Sequence, residues 1–212
     1  YNLRVGNSLI GYVDLGEFKG VRLTLSDWLW DEEKTTLDNF LKERNNKIRE
    51  YKRTWGEEAK ELKESVQEFD EKISNLLNAD LYKKFWDKKI KISKEEFLKL
   101  NPFHWGFEFY EVFNLEKPKE ERGFDVVIGN PPYVQKNAFK DFEKTIIKKD
   151  FEENSSNMNI AAIFINQTNR LNKKTGYQGM IVPKSLLFSK SWLGDRKRLL
   201  ERLVGIVDVS KA

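Results

Sequence analysis

Apolar residues in the first half of the chain recur at helical spacing. Across residues 48–76 they are separated by three or four positions, with one irregular step. This heptad-like stripe predicts one helix from about residue 35 to residue 77, roughly 60 Å long at 1.5 Å per residue. A break at residues 78–80 and a return helix from Leu81 complete a predicted antiparallel helical hairpin. The stripe consists of Ile48, Tyr51, Trp55, Ala59, Leu62, Val66, Phe69, Ile73 and Leu76.

The second half carries short apolar runs instead. Residues 126–128 are Val, Val and Ile, a β-branched run that predicts a strand buried on both faces. Gly129 ends the run, and two prolines follow shortly after it. Because Pro131 and Pro132 each lack an N–H and fix φ, neither strand nor helix continues there. The pattern predicts a stiff loop at the carboxyl end of a strand, where open α/β sheets bind ligands.

Other segments extend the alternation of strands and helices. Residues 108–113 have a period near two and predict either a short strand or a turn-rich approach to the strand at residues 126–128. The further predicted elements are strands at 3–10, 179–183 and 204–208, a turn at 173–179, and helices at 158–171 and 194–200, the last with Leu199, Leu200 and Leu203 inward. The alternation predicts an α/β fold with parallel strands joined by right-handed crossovers.

Composition makes the chain polar for a compact fold. Charged residues are 34% of the sequence and the mean hydropathy is −0.67, which favours a long solvated helical part. The 15 Phe, 7 Tyr and 6 Trp still supply bulk for a core. No apolar run approaches membrane-spanning length, and the start resembles neither a signal peptide nor an initiator methionine. We therefore expect a fragment of a cytoplasmic protein without a membrane partner.

Metal chemistry is not indicated by the residue types present. The absence of cysteine excludes disulfides and thiolate metal sites, and we predict no metal site. His104 is the only histidine and lies between Phe103 and Trp105. This position predicts a packed, hydrogen-bonded side chain rather than a catalytic base.

The net charge of +4 is unevenly distributed along the chain. Residues 136–212 contain 15 Lys and Arg against 8 Asp and Glu, which gives +7, whereas residues 1–135 carry −3. A basic segment after the proline loop suits a surface near phosphate groups. Ordinary solvated lysines would give the same count, and charge alone favours that interpretation.

The proline loop offers the chemistry to hold an amino group. Asn130 has a side-chain carbonyl, and the proline carbonyls are not engaged in a sheet ladder. Two acceptors on a rigid turn suit an amine with two hydrogens. Tyr133 adds a flat ring on which a base can stack, worth roughly 1–3 kcal/mol in nucleic-acid binders. Together these features suit the exocyclic amine of a flipped base, although a plain turn with a surface tyrosine would have the same sequence.

The sequence Asn-Pro-Pro-Tyr at residues 130–133 resembles the catalytic motif of amino-methyltransferases that use S-adenosylmethionine. The longer run at residues 103–134 resembles the adenine-methyltransferase part of type II restriction–modification proteins. It is most similar to the type IIG class, in which nuclease and methyltransferase share a chain. The resemblance implies a partial Rossmann-like methyltransferase sheet formed by residues 1–26 and 101–212, interrupted by a helical insertion at 27–100.

The resemblance also implies roles for the loop residues. Asn130 and the Pro131 carbonyl would hold the N6 amine of adenine, and Tyr133 would stack on the extruded base. The other implied substrate-contacting residues are Pro132 and Val134.

The cofactor pocket is expected to be incomplete in this chain. Asn7 would approach the adenine of S-adenosylmethionine, with Asn130 beside the cofactor, although a plain Asx turn explains Asn7 equally well. No Gly-rich strand-to-helix turn occurs in the sequence. The family's elements for the methionine and ribose groups would lie before Tyr1, and its target-recognition domain would lie after Ala212. We expect double-stranded DNA and these remaining domains as partners, and negligible methyl transfer by the isolated chain.

Two other functions fit parts of the sequence. The same tetrapeptide also serves methyltransferases that act on a protein glutamine or on an RNA amine. Alternatively, the chain could be a non-catalytic interaction module built around the helical hairpin, in which case Asn130 would be buried or misdirected. The mixed charges of the hairpin favour a structural arm over a DNA-binding surface.

Overall fold

The computed structural model describes residues 3–18, 37–133, 144–146 and 159–209. The chain divides into two compact units, one formed by Tyr1–Lys88 with Ser93–Leu115 and the other by Lys89–Ile92 with Glu116–Ala212. Helices and a small parallel sheet place the described residues in the α/β class.

The helices of the first unit are α1 (Leu37–Tyr51), α2 (Glu57–Asp87), α3 (Lys94–Lys99), α4 (Trp105–Glu108) and α5 (Tyr110–Phe113). The second unit contains β1 (Phe124–Gly129), α6 (Ile160–Leu171), β2 (Asn172–Met180), α7 (Ser185–Phe188) and α8 (Leu193–Leu200). Short 3-10 helices lie at Leu15–Glu17, Lys119–Glu121 and Lys190–Trp192.

A helical hairpin is present, because α1 and α2 pack against each other, but the single helix predicted from about residue 35 to residue 77 is wrong, because the chain forms two helices over this range. The turn of the hairpin lies at residues 52–56 rather than at residues 78–80. Gly56 immediately precedes α2 with φ of +75°, a left-handed conformation that residues with a Cβ rarely adopt. Arg44 of α1 is buried and pairs with Asp70 of α2, so an ion pair joins the two helices in addition to their apolar contacts.

The predicted break at residues 78–80 is wrong, because α2 continues through it. The Tyr12 hydroxyl donates to Asp80 Oδ2 at 2.5 Å, and His104 Nε2 lies 3.1 Å from Asn78 Oδ1. Asn and Asp disfavour helix interiors when their side chains compete for the helix backbone. Here residues from outside the helix satisfy these side chains, so the competition does not arise.

The apolar stripe of α2 also extends past its predicted end. The buried apolar residues of the helix are Val66, Ile73, Leu77, Leu81 and Phe85. Trp55 was predicted to be part of the stripe, but it lies in the turn and is 85% exposed. A stripe defined by spacing alone therefore includes a residue that the turn at Gly56 removes from the helix.

The strand predicted at residues 3–10 is wrong over its described part. Leu3 and Val5 are almost fully exposed, whereas Ile10 at the end of the segment is buried, so burial does not alternate along the segment as in a strand. Asn7 forms an isolated parallel bridge with Pro102, and its N–H donates to the Asn101 carbonyl at 2.7 Å. The segment is held at single points rather than along a ladder.

Residues 108–113 do not form a strand but belong to the short helices α4 and α5. Phe107, Tyr110 and Phe113 are buried in these helices. They are spaced by three residues, which places them on one side of a helical path. The period-two pattern allowed a short strand or a turn-rich segment, and the three-residue spacing of the buried side chains excludes the strand.

The buried His104 is hydrogen-bonded at both ring nitrogens, as the sequence predicted. Its Nδ1 accepts from the Tyr12 N–H at 3.2 Å, so Nε2 carries the proton and donates to Asn78 Oδ1. Burial lowers the pKa of His104 from 6.5 to about 4. The neutral ring therefore joins the N-terminal segment to α2 as a structural element.

We expect this burial to make stability depend on pH. Between pH 6.5 and 4 an unfolded chain binds a proton at His104 that the folded chain does not, so stability falls as the pH decreases through this window. At 1.36 kcal/mol per pKa unit the loss approaches about 3 kcal/mol. Unfolding by denaturant at several pH values, compared between the wild type and His104→Gln, measures it.

The control for this experiment is the pH slope of the variant, which should be shallower in the same window even if the variant is less stable at neutral pH. Glu108 in the same unit has the opposite effect on the pH dependence of stability. Burial raises its pKa, although the charges of Arg4 and Arg44 lower it. Asp80 and Lys84 also face this region through Tyr12. Equal slopes in the two proteins would contradict the assignment to His104.

In the second unit β1 and β2 form a parallel pair. Gly129 pairs with Met180, and the register shifts between Phe124 and Val126. The strand was predicted to be buried on both faces, which is wrong for the described residues, because Val126 and Ile128 are 59% and 79% exposed. One face of β1 is therefore open.

Several predictions for the C-terminal part are wrong in their boundaries. The turn at residues 173–179 is instead strand β2, whose polar residues pair by backbone with β1 beside an exposed face. Residues 204–208 form no strand among the described residues and are exposed. Leu200 and Leu203 are also exposed rather than inward, so only Leu199 packs against the core.

Helix α6 was predicted correctly and supplies most of the core of this unit. Asn159 caps it by accepting from the Ala161 N–H at 2.9 Å, a typical N-cap arrangement. The core cluster consists of Ala161, Ala162, Ile165, Leu186 and Trp192, with Met180, Val182 and Leu199 packed against it. Among the helices of the described ranges, none combines the length and the apolar character needed to cross a bilayer.

Candidate active site

The loop at residues 130–133 begins where β1 ends. Gly129 is the last residue of the strand and pairs with Met180 of β2. Its carbonyl accepts from the Ile181 N–H at 3.0 Å, so the segment after β2 starts beside the loop. Both segments leave the sheet at the carboxyl ends of parallel strands, which is where α/β sheets place ligand sites.

Most side chains of this loop are open to solvent. Pro131 is buried, whereas Asn130, Pro132 and Tyr133 are exposed, the tyrosine by 53%. The buried proline ring anchors the loop, and the polar and aromatic groups remain accessible. The non-catalytic alternative expects Asn130 to be buried or misdirected, and the structure shows that it is not buried. Val134 lies outside the described residues.

A hydrogen bond within the loop orients the Asn130 amide. The Tyr133 hydroxyl donates to Asn130 Oδ1 at 3.1 Å. This bond identifies the oxygen rather than the nitrogen as the amide atom that faces the phenol. A carbonyl oxygen has two lone pairs, so Asn130 Oδ1 can accept a second hydrogen bond or exchange the phenol for an incoming amine.

At the other end of the strand pair, away from this loop, two charged residues form an ion pair. Lys173 Nζ lies 2.7 Å from Asp125 Oδ1 across the two strands, and this hydrogen bond lowers the pKa of the Asp125 carboxyl. Asp125 therefore stays ionised and paired at neutral pH. No group of three or more His, Asp or Glu residues that could hold a metal occurs within the ranges that the structure describes.

Asn7, the predicted cofactor residue, belongs to the first unit. Its Oδ1 accepts from the Leu9 N–H at 3.2 Å, which is an Asx turn. Trp105 Nε1 donates to the Ser8 carbonyl at 3.0 Å and holds the same turn from the side. The geometry matches the structural alternative for Asn7, and its contact with a cofactor remains a prediction.

The sequence patterns did not reveal the exposed residues of the segment after β2. In helix α7, Leu186 is buried whereas Leu187 and Phe188 are exposed, the phenylalanine by 70%. The signal was available in the sequence, because a single helical turn with three consecutive apolar residues cannot bury all of them on one side. The flanking Lys184 and Lys190 are also exposed.

Comparison with known proteins agrees with the resemblance seen in the loop. The sequence profile of the Eco57I restriction-modification methylase family matches residues 21–211. A curated protein of Methanocaldococcus jannaschii is named "Putative type II restriction enzyme and methyltransferase". It is 28% identical to this chain over an alignment of 244 residues. The alignment covers 96% of this chain and 20% of that protein. The chain thus spans about a fifth of this relative's length. No solved structure matches. The chain belongs to the Eco57I restriction-modification methylase family.

Proposed function

We propose that this chain is part of a site-specific DNA methyltransferase of a type II, type IIG-like restriction–modification system, which modifies the N6 amine of adenine. The observation that carries the proposal is the exposed Asn130–Tyr133 loop at the carboxyl end of β1. The family supports a methyltransferase that acts on DNA. The adenine, the extruded base and the residue roles are our proposal.

The loop residues would bind the base in a fixed orientation. Extruding a base from the duplex costs a few kcal/mol, and stacking on the exposed Tyr133 ring offsets roughly 1–3 kcal/mol of it. Asn130 Oδ1 and the Pro131 carbonyl would accept from the two hydrogens of N6. These bonds direct the nitrogen lone pair and raise its electron density.

The methyl donor would be S-adenosylmethionine, which supplies an electrophilic sulfonium methyl group when bound. Asn130 would border it, and Asn7 would contact its adenine. Asn7 Oδ1 already accepts from the Leu9 N–H, so only its remaining hydrogen-bonding capacity could serve a ligand. The N6 amine would take the sulfonium methyl group as the sulfur–methyl bond breaks, leaving the thioether S-adenosylhomocysteine, and the nitrogen would release one proton to solvent. The main contribution of the loop would be to hold the amine at near-attack distance.

The proposal includes the larger architecture. Residues 1–26 and 101–212 would form part of a Rossmann-like methyltransferase sheet, with residues 27–100 as a helical insertion. The parallel pairing of β1 and β2 supports the sheet, and the packing of α1 against α2 supports a helical insertion. The open face of β1 would then be covered by other parts of the full-length protein.

The substrate class can be tested by product analysis. We expect the full-length protein, supplied with isotopically labelled S-adenosylmethionine, to label duplex DNA but neither RNA nor glutamine-containing peptides. Nucleoside digestion should recover the label as N6-methyladenine, because the two acceptors of the loop suit an exocyclic amine. Label found only in N4-methylcytosine, RNA or peptide would refute the proposed adenine substrate. Absence of label from every substrate would favour a non-catalytic module.

A further inference from the structure

The helix α7 and the residues flanking it form a surface beside the candidate active site. The segment that leads into α7 starts at Ile181, whose N–H is bonded to the Gly129 carbonyl at 3.0 Å. Gly129 directly precedes Asn130. Two chain segments thus leave neighbouring strand ends together, and the second ends in α7 within a few residues.

One side of this helix is fixed in place. Leu186 is buried in the core cluster with Trp192 and Ala161. The carbonyl of Leu186 accepts from Arg196 Nη1 at 2.7 Å, and the Ser189 carbonyl accepts from the same nitrogen at 2.7 Å. The backbone on both sides of Phe188 is therefore held rigidly, and its exposed position is determined by the fold.

The outward side of α7 combines apolar and basic groups. Leu187 and Phe188 are exposed, with Lys184 before them and Lys190 after them. Lys184 Nζ lies 2.8 Å from Asp208 Oδ2, so its charge is partly neutralised. We call the exposed side chains of Leu187, Phe188 and Lys190 the α7 surface.

We propose that the α7 surface binds duplex DNA next to the target base, with Phe188 against a base or deoxyribose and Lys190 on a phosphate. This inference rests on the proposed function, which brings DNA to the neighbouring loop. A rigidly held aromatic side chain beside a lysine suits nucleic acid, because the ring packs on a base or sugar and the ammonium neutralises the backbone. Residues 136–212, which include this surface, carry an excess of basic residues.

The two residues should have different effects on DNA affinity. In the full-length protein, Lys190→Gln should weaken binding to a target duplex and reduce the slope of log affinity against log salt by about one. Phe188→Ala should weaken binding by about fivefold or more with the slope unchanged, since stacking and apolar contact release no counterions. Titrations of labelled duplex by fluorescence anisotropy at several salt concentrations measure both effects.

Matched controls come from exposed residues of the first unit. The exposed fraction of Leu98 on α3 lies between those of Leu187 and Phe188. Lys83 is exposed on α2, as Lys190 is beside α7. Leu98→Ala and Lys83→Gln should leave affinity and salt slope at wild-type values. Wild-type affinity and slope in both α7 variants would overturn the inference. A fall in melting temperature without loss of DNA affinity would also overturn it, because α7 would then bind another part of the protein.

The binding assay separates this inference from the proposed function. The assay needs no methyl transfer. If the protein binds DNA through Phe188 and Lys190 but methylates no substrate, the DNA-binding inference stands and the proposed methyltransferase function is refuted. Conversely, if both variants methylate adenine and bind DNA with wild-type affinity, only the inference about the α7 surface is refuted.

Discussion

Replacing Asn130 by alanine in the full-length protein is expected to abolish methyl transfer, to below about a hundredth of the wild-type rate, while DNA binding stays largely intact. The change removes Oδ1, the acceptor that the Tyr133 hydroxyl now engages at 3.1 Å. Without that acceptor the N6 amine is no longer held toward the methyl donor, and misplacement of a reacting atom by about 1 Å costs about a hundredfold. Transfer of label to duplex DNA and duplex affinity are the two measurements.

Tyr133, which bonds to Asn130, provides the matched control. Tyr133→Phe keeps the ring and its stacking but removes the hydroxyl that orients the Asn130 amide. A single net hydrogen bond is worth about 1 kcal/mol, so we expect a change in rate of only about fivefold. Near-normal turnover in Asn130→Ala would refute the assignment. A loss of DNA affinity equal to the loss of rate would indicate a binding role in its place.

The location of the candidate site could be predicted from the sequence because its signals are local. A β-branched run followed by glycine and two prolines determines where β1 ends and where the loop begins, whatever the rest of the chain does. The same holds for α6, where Asn159 and the apolar residues after it determine both the cap and the buried face. His104 between two aromatic residues is a further local signal, and it is packed and hydrogen-bonded as expected.

The errors come from contacts between residues distant in sequence. The break predicted at residues 78–80 does not occur because Tyr12 and His104 satisfy Asp80 and Asn78 from other segments. Strand β2 begins at Asn172, although its residues suggest a turn, because pairing with β1 determines its extent. Spacing within one segment carries no information about such partners.

Burial of β1 was overestimated for a related reason. A continuous Val-Val-Ile run is typical of a strand covered on both faces, yet Val126 and Ile128 face solvent in this chain. The relative that matches this sequence is about five times longer than the matched part. The sequence pattern is therefore consistent with our proposal that other parts of the full-length protein cover this face.

A second large effect is expected from Gly123→Ala, which should lower the stability of the second unit by about 3 kcal/mol. Gly123 immediately precedes β1 with φ of +116°. An added Cβ would lie 2.7 Å from backbone atoms of Leu171, Asn172 and Lys173. These atoms belong to the junction between α6 and β2, and backbone cannot move aside as the end of a flexible side chain can.

The effect is best measured locally, because a multidomain protein does not unfold in one step. We expect hydrogen–deuterium exchange of peptides from β1 and β2 to accelerate strongly in Gly123→Ala. Methyl transfer should fall with it, since the Asn130–Tyr133 loop takes its position from the end of β1. A change confined to exchange would indicate that the loop is held by Pro131 independently of the strand pair.

Two other glycines separate the causes of this effect. At Gly205 an added Cβ would meet nothing within 4 Å, so Gly205→Ala should change stability by less than about 0.5 kcal/mol. At Gly56 φ is +75° and ψ is −147° but the space is also open, so Gly56→Ala should cost about 2 kcal/mol from backbone conformation alone. The difference between the losses of stability in Gly123→Ala and Gly56→Ala then measures the cost of the close approach between the start of β2 and the residue before β1. Equal exchange rates in the Gly123 and Gly205 variants would show that this approach does not hold the two strands in register.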